Sequence, residues 1–167
     1  MDDRDKRKMR MQELIQKNKN CREPELDPVL KEIIEVLHPG VEALSVAESQ
    51  QMYDDLQNKF PFVWWGRIDW DNFNDKIQIY RLEDIFYNLN KRYQVEDYTI
   101  FALWGYSSGD SPVIKLNLRN AITHIDGINT VGGDQWLYCP SYGFVIEFYH
   151  DGETVLGFES SVKKLTY

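Results

Sequence analysis

GFVIEFYHDGETVLGFES, residues 143–160, decides how this chain folds. Two runs of aromatic and β-branched side chains flank Asp151-Gly152, and Asp-Gly between such runs marks a tight hairpin, because the favoured turn needs positive φ at its central positions. A two-residue loop pairs His150 with Glu153, Tyr149 with Thr154 and Phe148 with Val155. One face then carries Phe144, Ile146, Phe148, Val155 and Gly157 and reads as core. The other carries Val145, Glu147, Tyr149, Thr154, Leu156 and Phe158. Strand side chains alternate between faces, so this second, mixed face is expected to be half covered by a helix or left partly open.

Upstream, QWLYCP at 135–140 is a third strand-like run, which makes the C-terminal part a meander. YTIFALWGY at 98–106 and IQIYR at 77–81 read as strands, and Val113, Ile114 and Leu116 as a short one. Helical spacing appears in LEDIFYNLNKRY at 82–93, through Leu82, Ile85, Phe86 and Leu89, and in NLRNAITHI, through Leu118, Ile122 and Ile125. Two helices stand ahead of the sheet. DPVLKEIIEVLH has Asp27 to cap, Pro28 at the first helical position, and Val29, Ile33, Val36 and Leu37 as its apolar face. Ser45 with Glu48 forms a capping box for a helix to about Lys59, with Val46, Met52, Tyr53 and Leu56 inward. The predicted class is α+β: N-terminal helices followed by a mainly antiparallel sheet with one or two packed helices.

A chain of 167 residues fits one domain with a full core, and 43% apolar and 14% aromatic residues support one. Charge divides the chain. Residues 1–24 hold 8 Lys/Arg against 5 Asp/Glu, or +3, and residues 25–167 hold 11 against 22, or −11. The predicted organisation is therefore a charged segment at 1–24, either a frayed basic helix or a mobile tail, and a single α+β domain at 25–167. An acidic body disfavours nucleic acid and anionic membrane as partners and favours a basic protein surface. Cys21 and Cys139 do not make a disulfide framework, MDDRDKRKMR is not a secretory signal, and nothing approaches a membrane span, so a cytoplasmic location is expected.

FPFVWWGRIDW, residues 60–70, holds three of the five tryptophans. It lies where helices hand over to the sheet. If Gly66 adds a bulge, Trp65, Arg67 and Asp69 point one way and Trp64, Ile68 and Trp70 the other, so most of the cluster is expected to seal helix against sheet, the alternative being that at least one ring is exposed for binding.

Tests for chemistry return little. In DWDNFND an EF-hand starting at Asp69 needs an oxygen ligand at its fifth position, glycine at its sixth and glutamate at its twelfth; Phe73, Asn74 and Tyr80 stand there, and an Asx turn explains the acids more simply. His38, His124 and His150 show no metal spacing. Cys139 sits in an apolar strand, and the serines of GYSSGDS, 105–111, lack the order of a nucleophile elbow. No catalytic residue, metal or cofactor is expected.

What survives is electrostatic. Residues 134–159 contain five acids and no Lys or Arg, on strands rich in Tyr and Trp. Such a surface steers a basic partner and supplies aromatic anchors, so Asp134, Trp136, Glu147, Tyr149, Asp151 and Glu153 are the candidate partner-binding residues. With W-L-Y-C-P at 136–140, V-I-E-F-Y-H-D-G at 145–152 and the element order from about 60 onward, the chain resembles the bacterial immunity proteins of polymorphic-toxin and contact-dependent growth inhibition systems. The resemblance implies a cognate toxin domain, often a basic nuclease, held by the acidic face. Two other classes stay open. One is a carbohydrate-binding module with Trp64, Trp65 and Trp104 as platforms; the other is an enzyme using Asp69, Asp71 and His124 or His150.

Overall fold

The computed structural model describes residues 6, 9–14, 26–105 and 112–159. In chain order the elements are α1 (Pro28–Leu37), β1 (Val41–Ala43), α2 (Val46–Lys59), a 3-10 turn (Trp70–Asn72), β2 (Lys76–Ile79), α3 (Glu83–Tyr93), β3 (Thr99–Gly105), β4 (Ile114–Asn117), α4 (Leu118–Thr123), α5 (Ile125–Asn129), β5 (Asp134–Cys139), β6 (Phe144–Phe148) and β7 (Thr154–Phe158). The strands form one antiparallel sheet in the order β1-β4-β3-β5-β6-β7-β2. The class is the predicted one, α+β with helices ahead of an antiparallel sheet. Most of the charged 1–24 segment, Cys21 and the serine loop at 106–111 lie outside the described residues; 9–14 are helical with exposed side chains. Among the described residues, no helix is long and apolar enough to cross a membrane.

Local sequence explains the helix starts. Asp27 accepts from the backbone N–H groups of Val29 and Leu30, with Pro28 at the first position. At α2 the predicted capping box forms: Ser45 Oγ accepts from Glu48 N (3.3 Å) and Glu48 Oε2 from Ser45 N (2.9 Å). The inward faces differ in part from the predicted ones. Leu30, Ile33 and Leu37 are the buried residues of α1 while Val29 and Val36 are exposed, and in α2 Leu56 is buried while Val46 is exposed. The predicted 117–125 helix divides at His124 into α4 and α5, so GINTVGGD contributes helix as well as turn.

The main correction concerns the hairpin that fixes the register. Phe148 pairs with Thr154, Ile146 with Leu156 and Phe144 with Phe158, one residue off the predicted alignment. The loop has three residues, not two: Gly152 N donates to Tyr149 O (2.9 Å), Tyr149 N donates to Glu153 O (2.9 Å), and Gly152 takes φ 91°. This is a type I turn closed by a left-handed glycine, the next commonest hairpin after the two-residue forms. A shift of one residue exchanges the faces of β7. Leu156 and Phe158, not Val155 and Gly157, join Phe144, Ile146 and Phe148 in the larger core cluster, with Leu30 and Ile33 of α1, Ile85 and Leu89 of α3, Leu118 of α4 and Ile128 of α5.

The opposite face is covered as well. Val145, Val155, Trp136 and Tyr138 pack in a second cluster with Leu56 of α2 and with Phe60, Ile68, Trp70 and Phe73 from the chain that follows it. β5 and β6 are therefore buried on both sides along their whole length. Polar bonds tie α2 to the sheet: Tyr53 Oη donates to Trp104 O (2.8 Å) and accepts from Trp104 N (3.0 Å), and Tyr138 Oη donates to Asp55 Oδ2 (2.5 Å).

Candidate partner-binding site

The 60–70 segment leaves α2, makes an isolated bridge between Phe62 and Ile68, and turns between them. Gly66 N donates to Val63 O (3.0 Å), Val63 N donates to Arg67 O (2.8 Å), and Gly66 has φ 90°. Trp64 and Trp65 therefore occupy the tip of a three-residue loop. Trp64 is 91% exposed and Trp65 46%, their rings edge to face at 5.3 Å. Past the turn the chain alternates as a strand should: Ile68 and Trp70 go inward and Asp69 stays partly exposed. The predicted sealing of helix against sheet is thus the work of Trp70 alone among the three. Its ring fills the space over Gly157, where any Cβ would collide with it.

Beneath this loop lies Glu147, which is fully buried. Its Oε1 accepts from Ile68 N (3.0 Å) and Trp136 Nε1 (3.1 Å), and its Oε2 from Arg67 Nε (3.0 Å) and Trp70 Nε1 (2.5 Å). Four N–H donors on two oxygens meet the rule that a buried charge must be paired and hydrogen-bonded. Three of the four come from residues 67–70, so a single carboxylate on β6 fixes the whole segment to the sheet. Arg67 extends further: Nη2 reaches Glu153 Oε2 at 2.5 Å and the guanidinium lies over the Tyr149 ring at 4.4 Å. Burial alone would lower the Arg67 pKa, but its bonds to Glu147 and Glu153 outweigh that and raise it.

The hairpin tip is held in a similar way. Asp134, buried at the start of β5, accepts from His150 N (2.9 Å) on Oδ1, and His150 Nδ1 lies 2.8 Å from the same oxygen. The His150 ring packs at 4.1 Å on Tyr149. Asp151 is exposed and its Oδ1 accepts from Glu153 N (3.0 Å).

These positions correct the expectation that the hairpin acids point outward. Of the six candidates, Asp134, Trp136 and Glu147 are buried, and each serves the protein's own structure. The reason is the second cover over the sheet, which turns the mixed face inward and pairs its carboxylate. Tyr149 and Glu153 are partly exposed and Asp151 fully so, and these three meet at the tip. Sequence reasoning missed Arg67 as the joint and named Trp64 and Trp65 as outward rings only as sugar platforms, not as part of the partner-binding set. The available signal was W-W-G itself: a glycine third in a loop, flanked by strand-forming residues, repeats the H-D-G of the hairpin.

Beside the loops, Trp65, Arg67, Asp69, Asp71, Lys76 and Glu153 line a hollow of about 370 Å³. Trp104 and His124, named for other functions, lie away from this hollow. Trp104 is 2% exposed with its Nε1 donating to Ile128 O (3.1 Å), so it offers no sugar platform. Asp69 Oδ2 accepts from the Asn72 side-chain amide (2.5 Å) while backbone bonds, not the expected Asx cap, close the turn; His124 stands at the α4–α5 junction with its Nδ1 3.0 Å from Asn120 O, on the opposite side of the sheet. Cys139 is buried in β5, and burial raises its thiol pKa.

Residues 27–157 match the family described as CdiI immunity protein, EcoliA0-like. No curated protein matches the chain significantly.

Proposed function

The chain belongs to the EcoliA0-like CdiI immunity protein family, and on that premise we propose that it neutralises a basic toxin domain, of nuclease type, by docking on it through the surface formed by Trp64, Trp65, Tyr149, Asp151 and Glu153. As an immunity protein of a contact-dependent growth inhibition system it acts on a toxin; the class of toxin and the surface used are the proposal. One observation carries it: a tryptophan that is 91% exposed on a loop fixed from below by a buried carboxylate. A ring that large left in water on rigid backbone is a binding anchor, because the energy of protein interfaces concentrates in aromatic and arginine side chains that lose little freedom on docking.

Charge supports the partner's sign. The 25–167 body carries −11, and Asp69, Asp71 and Glu153 line the hollow beside Trp65, where Arg67 and Lys76 also stand. A nuclease presents cations where nucleic acid binds, so an acidic body both accelerates encounter and competes with the substrate. The same charge disfavours nucleic acid as this protein's own ligand. The site of action proposed is the cytoplasm.

The test is association kinetics with the cognate toxin domain. Reversing Asp71 and Asp151 to lysine should slow association about 10-fold at low ionic strength and flatten its salt dependence, in line with electrostatic steering. Trp64→Ala should chiefly speed dissociation. Unchanged kinetics in both variants would remove this surface from the account.

A further inference from the structure

The two loops that form the surface share one backbone design. In each, the residue before the tip donates to and accepts from the chain beyond it: Val63 N to Arg67 O and Gly66 N to Val63 O in one, Tyr149 N to Glu153 O and Gly152 N to Tyr149 O in the other. Their glycines have φ 90° and 91°. Each tip is secured by a buried carboxylate, the first by Glu147 through Arg67 and Ile68, the second by Asp134 through His150. The residues at equivalent positions just past the two glycines, Arg67 and Glu153, form an ion pair at 2.5 Å, and Arg67 also covers the ring of Tyr149, the residue that opens the second loop. The tips are thus clamped side by side. One presents Trp64 and Trp65; the other presents His150 and Asp151.

Resting on the docking surface proposed above, we propose that the two tips bind the toxin as one bipartite element, with Arg67 and Glu153 as positioning residues that set their spacing. Two contacts held at a fixed separation engage a partner together, so the second forms without a fresh loss of translational and rotational freedom. If the joint is loosened, each tip must be ordered separately on binding, and ordering immobilised groups lowers affinity. The benefit exists only while both tips touch the partner. That condition separates a positioning role from a direct contact, and from mere charge.

The experiment measures dissociation of the full-length protein from the toxin domain for wild type, Glu153→Gln, Trp64→Ala and the double variant. Glu153→Gln keeps the side chain's shape and leaves the Glu147 bonds in place. It should speed dissociation about 10-fold at every salt concentration while the melting temperature stays within about 2 °C, since a part-exposed ion pair contributes little to stability. Trp64→Ala should speed it by at least as much. In the Trp64→Ala background the added effect of Glu153→Gln should fall below about 2-fold. An undiminished 10-fold effect there would make Glu153 an independent contact and overturn the bipartite element. So would a Trp64→Ala effect with none from Glu153→Gln. If neither substitution changes binding, the docking surface itself fails.

Discussion

On one face of the sheet β6 gives Phe144, Ile146 and Phe148 to a cluster of apolar side chains from four helices; on the other it gives Val145 and Glu147, and the cover there is one helix and a loop tied to a carboxylate. The apolar face needs only volume and water exclusion, and tolerates any arrangement that fills it. The polar face demands specific donors at specific places. Stability is spread over the first face, whereas the second converts part of its bonding into the shape of a surface loop.

Substitutions at adjacent positions of β6 test that contrast most strongly. Glu147→Ala should lower stability by about 3–5 kcal/mol, because Arg67 Nε and three further N–H groups lose their acceptor while Arg67 keeps only its pair with Glu153. Ile146→Ala should cost about 2–5 kcal/mol through cavity formation, and Ile146→Val only about 1. The near-isosteric change at the other site, Glu147→Gln, should recover little, since it brings an N–H into a ring of donors. Urea unfolding measures all four, and a Gln variant as stable as wild type would erase the distinction between the faces.

A smaller effect is expected at Gly157, where shape rather than charge seats the loop. Alanine there drives a methyl group into the Trp70 ring. Overpacking of this kind costs about 1–3 kcal/mol, and near-ultraviolet circular dichroism should show the tryptophan signal altered. The smallest lies at the rim of the polar face. Ser45→Ala, which removes the cap of α2, should cost about 1 kcal/mol at neutral pH. Its Oγ and backbone N–H hold the Glu48 carboxyl below its usual pKa. A carboxyl lowered on folding adds stability above its unfolded pKa and loses it as pH falls through the folded value. The wild type should therefore lose stability more steeply than Ser45→Ala on acidification below about pH 5.

The fold class was legible because periodicity speaks for itself where an element has one buried side. The α2 capping box and the strands at 98–106, 135–140 and 144–148 follow directly from residues that occur in register with their secondary structure. The alignment of β6 with β7 was not legible. Asp-Gly fits both a two-residue and a three-residue loop, and the apolar pattern could not choose, because with Leu156, Val155 and Phe158 all apolar either face of β7 looks like core. The site suffered from the same ambiguity. An acid on a ring-rich strand has the same sequence whether it faces a partner or three N–H groups from a segment 77–80 residues away in the chain, and only the long-range path of 67–70 decides. Trp64 and Trp70 are likewise identical in composition; six positions apart, one is displayed and the other is a wedge over a glycine.

The placement of Glu147 also polices strand alignment as the sheet assembles. Because β6 is enclosed on both sides, a slide by one residue against β5 and β7 would deliver the carboxylate into the layer of Leu156, Phe158 and Ile146's present neighbours, far from Arg67 and both indoles. An unpaired charge there costs several kcal/mol, more than the displaced hydrocarbon could return. A hairpin one residue out of register is thereby unstable, so the alignment that seats the carboxylate is also the one that carries the tryptophan loop.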